Sequence, residues 1–525
     1  MPGFLAAAVS LCLCFAAVWF GGLNQDEGWY LYAAQMVKSG HFPYRDFFYT
    51  QGPTMPFLYA VLSPVWGMDS PLHGLLGGRV VTLLLGLLAT GCAIALVRML
   101  VPVSRRSLAG VTVFALLGCN LYHLYFTTIP KTYSLGSLFV LAGFLLIAHG
   151  LRDGTSFAGR FSGLFAGGLS LAFATGTRIS LLLILPVVGF ALLANFRSLR
   201  WSFVWFGLGG ALGLLLTYGP FAFDPLSRQG LLAAQSYHAA RGGFDPFFVI
   251  GSVSRLARGY AALGVVLFAA AFLRSRNEVD VERTGRDPAR LVMWMLGLGF
   301  AAVFLLQLSA PFPYDDYQVP IMGMLTVLIV AGFIRGLPAN RANTGVAWFV
   351  VMASAMVSFS SPLLQEWATY SQDRFWSQKK EMTELAKLRM AGCEVEALDP
   401  GGKTLLTQDL YLAIETGRTV PRGLEMGPFS YFPDLPTEQA RKMHVLNRQL
   451  MDELLESAPC TIAAFSGYGF AISAPSCRET PFDEQKRNFE TLKRHYDLVL
   501  SEGKFGQNAT TLLVLQKRKG GGAAK

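Results

Sequence analysis

Long apolar runs alternate with short polar connections over the first two thirds of the chain. Most of them come close to the roughly 20 residues that a helix needs to cross a bilayer. We find about eleven such runs, at roughly 4–23, 74–97, 107–126, 132–149, 161–176, 179–195, 202–219, 257–273, 291–309, 318–334 and 344–360. The pattern predicts a polytopic α-helical membrane protein with about 11 transmembrane helices.

Arginine is concentrated in every second connection between these runs. Those connections contain Arg98, Arg152, Arg197, Arg283 and Arg335 and further arginines beside them. Because cytoplasmic loops carry an excess of Lys and Arg, we expect these connections and the N-terminus to be cytoplasmic. The first loop, residues 24–73, is then on the opposite face. With an odd number of spans, the tail from about residue 361 is there too.

The first loop begins with two adjacent carboxylates, Asp26 and Glu27, where the first span should leave the membrane. Rings with a polar tip collect at the boundary between water and lipid. Aromatic residues of this kind follow the acidic pair at Trp29, Tyr30, Tyr32, Tyr44 and Tyr49, with the apolar rings of Phe42, Phe47 and Phe48 among them. We therefore expect the two carboxylates to face a lipid surface. The alternative is that they merely end a helix at the interface.

The tail changes character after the last apolar run. The pattern predicts an amphipathic helix at Glu366–Met390 and a second helix at Thr437–Glu456. Short apolar runs alternate with the helical segments, at 404–408, 461–465, 497–501 and 511–516. Strands that alternate with helices indicate a small α/β domain. We predict two domains, a transmembrane domain at 1–360 and an extramembrane α/β domain at 361–525.

The amino-acid composition is also that of a membrane protein, and the distribution of charge argues against nucleic-acid binding. Hydrophobic residues make up 52% of the chain and charged residues only 15%, which is too apolar for a soluble domain of ordinary composition. The net charge of +10 comes from arginines in short loops and not from one basic face. Membrane topology explains that distribution, and we expect no nucleic-acid partner.

Three of the seven cysteines lie in the polar tail, at Cys393, Cys460 and Cys477. An oxidising compartment would allow two of them to pair. A bridge that involves Cys460 is favoured, with Cys393 and Cys477 both plausible as the partner.

The sequence contains no Walker-type phosphate loop, no GxGxxG after a strand, no HExxH and no paired CxxC. The chemical groups on the outer face are carboxylates, cations and aromatic rings. Arg79 and Arg178 lie at span ends, where a cation is costly unless it snorkels or meets an anion. Together with Lys131 and Arg45 they favour an anionic lipid head group as a ligand.

Several segments resemble one known family. They are the Asp26–Glu27 pair, the aromatic loop that ends in YTQGPTMPFLY, KTYSL at 131–135, GTRISL at 176–181 and YDDYQVP at 314–320. Together they resemble the bacterial branch of the dolichyl-phosphate-mannose protein mannosyltransferase family. That family belongs to the GT-C glycosyltransferases, which include the aminoarabinose transferase that modifies lipid A. The segment at 415–432 resembles a feature of one bacterial subgroup.

The resemblance implies inverting transfer of a sugar from a polyprenyl phosphate to an acceptor hydroxyl. Asp26 would be the base, and Glu27 would assist by positioning the acceptor or a cation. The implied ligands of the donor phosphate are Arg45, Arg79, Lys131 and Arg178. The implied substrate-binding residues are Tyr44, Tyr49, Asp315, Asp316 and Tyr317. The implied location is the bacterial inner membrane, with the active site and the tail in the periplasm.

Asp315 and Asp316 stand where relatives often have aromatic, His or Arg residues. Two carboxylates can hold Mg²⁺ or Mn²⁺, although solvated loop acids are the alternative. A transporter or flippase of lipid-linked sugars is the rival function, since it would use the same groove without a base. A receptor-like module that binds glycan is a third. The sugar and the acceptor, whether a lipid such as lipid A, a glycan or a protein, stay open.

Overall fold

The computed structural model describes residues 1–67, 72–240, 245–273, 287–310, 313–337, 343–370, 378–467, 480–507 and 509–518. Helices dominate the first 370 residues. They are α1 (Pro2–Trp19), α2 (Gln25–Lys38), α3 (Thr54–Val61), α4 (Ser63–Trp66), α5 (Gly74–Leu100), α6 (Arg106–Gly118), α7 (Leu121–Thr128), α8 (Thr132–Leu151), α9 (Phe157–Thr175), α10 (Ile184–Ala194), α11 (Phe196–Leu199), α12 (Ser202–Phe223), α13 (Pro225–Ala240), α14 (Pro246–Gly259), α15 (Ala261–Leu273), α16 (Pro288–Leu308), α17 (Val319–Gly336), α18 (Asn343–Phe359) and α19 (Pro362–Ala368).

Seven helices in the described part of the chain are long and apolar enough to cross a membrane. They are α1, α5, α8, α9, α12, α16, and α17 with the 3-10 turn before it. Three more apolar segments are helix pairs bent by 66° (α6 and α7), 76° (α14 and α15) and 44° (α18 and α19), so ten spans result if each pair is one. The predicted run 179–195 is a shorter apolar helix, Ile179–Ala194. The predicted class of protein is confirmed, whereas the count of 11 is not.

The bend between α6 and α7 has a local cause. The Asn120 side chain accepts a hydrogen bond from the backbone N–H of His123 at 3.0 Å and so starts a new helix. The Asn120 amide also donates to the carbonyl of Gly259 at 3.0 Å, at the break between α14 and α15. One side chain therefore ties two helix breaks together.

The tail contains a four-stranded sheet with strand order β1-β2-β4-β3. Its elements are α20 (Glu384–Leu398), β1 (Leu406–Thr407), α21 (Leu410–Glu415), α22 (Thr437–Met443), α23 (Arg448–Ser457), β2 (Ile462–Phe465), α24 (Phe482–His495), β3 (Tyr496–Phe505) and β4 (Thr510–Lys517). The β1–β2 pair is parallel, and the β2–β4 and β3–β4 pairs are antiparallel. All four predicted strands are present, which confirms the small α/β element of the predicted fold.

Both predicted long helices of the tail are interrupted. The stretch Thr437–Glu456 divides into α22 and α23, because His444 ends α22 in a left-handed conformation with φ 57°. The stretch Glu366–Met390 is not one helix either, since α19 ends at Ala368, and α20 begins only at Glu384. Cys393 and Cys460 are free thiols and are not bonded to each other. Cys477 lies outside the described residues.

The first loop and the tail share one hydrophobic core. Tyr30, Phe47 and Tyr59 of the loop lie in the same buried cluster as Leu412 and Leu515 of the tail. A second cluster fills the interior of the helical bundle. The division at residue 360 stays a prediction, but residues 24–61 pack with the tail. The α/β element is therefore at the same end of the bundle as Asp26.

Candidate active site

The two adjacent carboxylates lie in the first turn of α2. The Asn24 side chain accepts a hydrogen bond from the backbone N–H of Asp26 at 3.0 Å, and the Asn24 N–H donates to Glu27 Oε1 at 2.9 Å. This reciprocal arrangement is a capping box, and carboxylates near a helix N-terminus also gain from the helix dipole. The cap holds both carboxylates in the first turn of α2, but the two side chains lie on different faces of the helix and contact different residues.

Glu27 forms a fully buried ion pair with Arg79 on α5. Arg79 Nε donates to Oε2 and Nη2 donates to Oε1, both at 2.7 Å. The other three N–H groups of the guanidinium donate to the carbonyl oxygens of Val18, Gly21 and Gly22 at 3.0 to 3.1 Å. Arg79 therefore has all five donors engaged, and both side chains are inaccessible to solvent.

This geometry corrects two predicted roles. Arg79 was expected to hold the donor phosphate, but a guanidinium with no remaining donor and no exposed surface is not available to a ligand. Glu27 was expected to position the acceptor or a cation beside the base, yet its carboxylate is fully buried and paired with Arg79. The pair instead joins the end of α1, the start of α2 and the second turn of α5. We assign both residues a positioning role.

Asp26 is the accessible member of the acidic pair. Its side chain is 27% exposed, and Oδ2 lies 2.8 Å from Lys131 Nζ. The same Nζ lies 3.0 Å from Asp316 Oδ2. Trp29 Nε1 donates to Asp26 Oδ1 at 3.0 Å and so orients the carboxylate. The ammonium of Lys131 thus bridges two carboxylates that are far apart in the sequence.

Asp315 and Asp316 face different partners. Asp316 also accepts from the Tyr133 hydroxyl at 2.8 Å. Asp315 accepts from the Tyr122 hydroxyl at 2.6 Å and pairs with Arg255 at 2.9 Å. The predicted binding of Mg²⁺ or Mn²⁺ by this pair therefore lacks a converging set of ligands. Within the described residues, no group of three or more His, Cys, Asp or Glu side chains could hold a metal ion.

Arg178 lies between two tyrosine rings. Its guanidinium carbon is 5.1 Å from the ring centre of Tyr133 and 4.4 Å from that of Tyr317. These are cation–π distances, and the side chain is only 8% exposed. Arg178 forms no ion pair or side-chain hydrogen bond with any residue that the structure describes. It is a nearly buried cation whose donors are available to an anion.

Three predicted site residues lie away from this cluster. Arg45 is 40% exposed and pairs with Asp46 on the surface, 2.9 Å away. Tyr44 is buried and donates to the carbonyl of Gln51. Tyr49 is fully buried among aromatic rings. The phosphate contact of Arg45 and the substrate contacts of Tyr44 and Tyr49 therefore stay predictions, and the two tyrosines are buried in the core.

The cluster also contains three residues that were not predicted from the sequence, Tyr133, Tyr122 and Arg255. Tyr133 belongs to the KTYSL segment, so that motif contained the signal. Tyr122 and Arg255 had no comparable signal, because their contact with Asp315 depends on the bends after α6 and α14. Asp26, Lys131, Arg178, Asp316 and Tyr317, in contrast, were predicted and do come together.

The tail reaches the helix that carries Asp26. The Gln25 amide donates to the Gln408 carbonyl at 3.3 Å, and the Gln25 backbone N–H donates to the Gln507 side chain at 2.8 Å. The Tyr32 hydroxyl accepts from the Val420 N–H at 2.9 Å. The α/β element therefore positions α2 directly.

The fold of this chain is similar to that of solved structures. The crystal structure of ArnT from Cupriavidus metallidurans bound to undecaprenyl phosphate superposes with a TM-score of 0.62, 13% sequence identity and coverage of 97% of both chains. The apo state of the same protein gives a TM-score of 0.61 with the same identity and coverage. The chain has a GT-C glycosyltransferase fold.

The GT-C fold matches the expectation from the sequence motifs and extends over the tail as well as the helical bundle. The archaeal oligosaccharyltransferase AglB from Archaeoglobus fulgidus superposes with a TM-score of 0.47 and 10% identity, over 88% of this chain and 69% of AglB. That likeness is too weak to support an argument. No protein-family model matches the chain, and no curated protein matches it.

Proposed function

We propose that the protein is an integral membrane glycosyltransferase that uses a polyprenyl-phosphate sugar as its donor. The observation that carries the proposal is the cluster itself. It combines a partly exposed carboxylate, Asp26, with two cations, Lys131 and Arg178, at the membrane end where the first span stops. The likeness to ArnT, whose crystal structure contains undecaprenyl phosphate, supports a donor of this class.

In the proposed reaction the acceptor hydroxyl attacks the anomeric carbon from the face opposite the phosphate. The new bond joins the acceptor oxygen to that carbon, and the bond between the carbon and the phosphate oxygen breaks with its electrons on the phosphate. Asp26 accepts the hydroxyl proton. Inversion at the anomeric carbon follows from attack on the opposite face.

The cations stabilise the departing phosphate. Arg178 offers a planar fork of donors that suits phosphate, and its two tyrosine neighbours hold that plane in place. Lys131 is shared between Asp26 and Asp316. A donor phosphate competes with both carboxylates for Lys131, which releases Asp26 Oδ2 for the acceptor. No nucleotide is needed, because the leaving group is a lipid phosphate.

The finer assignments belong to the same proposal. They are a hexosyl or pentosyl group, a lipid, glycan or protein acceptor, and an active site on the periplasmic face of the bacterial inner membrane. Lipid A modification and protein glycosylation are both compatible with a membrane-embedded donor site. The N-terminus is then cytoplasmic. Reporters fused after Arg286 and after Gly402 should accordingly give cytoplasmic and periplasmic signals.

The test is sugar transfer by purified protein in proteoliposomes that contain undecaprenyl-phosphate-linked hexoses or pentoses. Extracted envelope lipids, glycans and proteins serve as acceptors. Asp26→Asn keeps the shape of the side chain but removes the proton acceptor, so transfer should fall about 10²- to 10⁴-fold. Asp46→Asn is the matched control, since Asp46 is on the same loop, pairs with Arg45 at the surface and accepts a hydrogen bond from the Phe42 N–H. Donor movement across the bilayer without transfer would contradict the proposal and favour the flippase.

A further inference from the structure

A second polar site lies at the opposite end of the helical bundle. A cavity of about 350 Å³ opens where α5 and α8 end and where α6 and α16 begin. Its polar lining consists of Arg98, Arg106, Arg152, Asp153 and Asp287. Arg98 is on the same helix as Arg79, and the rise of an α-helix puts the two about 28 Å apart along its axis. The cavity is therefore at the other membrane face from Asp26.

The three arginines of the cavity lack anionic partners. Among the residues that the structure describes, none of the three guanidinium groups forms an ion pair or a side-chain hydrogen bond. The Nε atom of Arg106 is buried and has no hydrogen-bond partner among the described residues. A buried guanidinium donor without a partner is costly, so this site favours an anion.

The acids in the lining do not neutralise these arginines. Asp287 caps α16 by accepting from the N–H groups of Ala289 and Arg290 at 3.1 and 3.3 Å. It also pairs with Arg335, and with the side chain of Arg290 at 3.6 Å. The negative charge of Asp287 is therefore balanced by Arg335 and Arg290 and not by the three arginines of the cavity. Only Asp153 is left against Arg98, Arg106 and Arg152, and the cavity stays net positive.

We propose that this cavity binds a phosphate-bearing anion, in addition to the donor phosphate at the Asp26 site. The chemistry is that of several guanidinium groups around a phosphodiester or phosphate. An anionic phospholipid head group and free phosphate share it. Basic pockets between helix ends at this depth are typical of lipid head-group sites. This inference does not depend on the glycosyltransferase proposal.

The test uses the full chain in detergent. Native mass spectrometry measures binding of short-chain phosphatidylglycerol, with phosphatidylcholine as the zwitterionic comparison and inorganic phosphate as the soluble probe. In a variant with Gln at positions 98, 106 and 152, affinity for phosphatidylglycerol should fall about fivefold for each arginine removed. Arg197→Gln is the matched control, because Arg197 is an exposed arginine beyond α10 on the same face.

Each outcome bears on the proposal. If the parent protein binds phosphatidylglycerol but not inorganic phosphate, and the triple variant loses that binding, the ligand is a lipid head group. If the parent binds inorganic phosphate and the triple variant does not, the ligand is a soluble anion. Equal binding of phosphatidylglycerol and phosphatidylcholine, or unchanged binding in the triple variant, would overturn the proposal. If the triple variant does not fold, the double variant of the exposed Arg98 and Arg152 provides the measurement with the half-buried Arg106 intact.

Discussion

Gly28 faces the backbone of Tyr411 so closely that a Cβ on Gly28 would lie 2.3 Å from the Tyr411 nitrogen. Gly28 follows Glu27 on α2, and Tyr411 is the second residue of helix α21 in the tail. The contact explains why the sequence has glycine one residue after the acidic pair. It also makes the packing of the tail a condition for the geometry around Asp26.

Gly28→Ala should therefore separate α2 from α21. The clash is with backbone atoms that cannot rotate away, and overpacking of this kind costs about 1 to 3 kcal/mol. We expect a lower melting temperature and a loss of sugar transfer. Gly22→Ala is the control, because a Cβ there meets nothing within 4 Å. Equal transfer by both variants would show that the tail does not hold α2 in place.

The buried pair of Glu27 and Arg79 predicts a folding defect. Removal of one partner leaves an uncompensated buried charge, which typically costs about 3 to 5 kcal/mol. Glu27→Gln and Arg79→Gln should each lower the thermal stability of the protein in detergent. The double variant should be less destabilised than the sum of the single changes, because neither charge is then left alone.

This prediction separates the positioning role of Arg79 from the phosphate role expected at first. An Arg79→Gln protein with normal melting temperature and weakened binding of undecaprenyl phosphate would restore the phosphate role. The exposed pair of Arg441 and Glu453 supplies the comparison for a surface ion pair. Its removal should change stability by less than about 1 kcal/mol.

Arg178 predicts a defect in donor use with little change in folding. Its guanidinium has no acidic partner among the described residues, so Ala leaves no buried charge behind. Loss of a charge-assisted hydrogen bond to the phosphate should lower kcat/KM about 10- to 100-fold. Lys should restore only part of the activity, since the planar fork and its stacking on Tyr317 are lost.

Arg258→Ala is the control for this experiment, as Arg258 is an exposed arginine at the end of α14. Transfer kinetics in a series of donor concentrations are the measurement. Normal kinetics in Arg178→Ala would show that the cation only stabilises the stacked tyrosines.

Glu425 predicts a pH dependence of stability. Burial raises the pKa of this tail carboxyl to about 7, against the weaker opposing effects of the Gly423 N–H and Arg422. The folded state therefore holds a proton that the unfolded state releases near pH 4.5. Stability from this group is greatest below that pH and is lost as pH rises towards 7.

Glu425→Gln should remove this slope. The amide is neutral at every pH, so the variant should be more stable than the parent at pH 8, by roughly 3 kcal/mol at most. Thermal unfolding at pH 5 and at pH 8 measures the difference. The exposed Glu438, which pairs with Lys442, supplies the control. A parent protein with the same melting temperature at both values would contradict the prediction.

The sequence predicted the elements better than their breaks. Runs of about 20 apolar residues and short alternating strands carry a periodic signal, and the helical bundle and all four strands followed from it. The bends at Asn120 and Gly259 depend on a hydrogen bond between segments distant in sequence, which no local pattern contains. The count of spans was therefore less predictable than their existence.

The candidate site shows the same division. Motif segments identified Asp26, Lys131, Arg178, Asp316 and Tyr317, which do come together. Arg79 was predicted to bind phosphate because an arginine at a span end has the same sequence signal whether it meets a ligand or, as in the structure, a buried glutamate. Its partner Glu27 was one residue from the expected base. The two acids differ only in direction, because consecutive side chains point about 100° apart around the helix axis.

The hydrogen bond between Gln25 and Gln507 joins residues 482 positions apart. A ribosome adds about 5 to 20 residues per second, so the N-terminal partner waits about 25 to 100 s for the C-terminal one. During that time α2 and the aromatic residues after it lack the tail residues that pack against them. The contacts between α2 and the tail are thus completed only after the last strands have been synthesised.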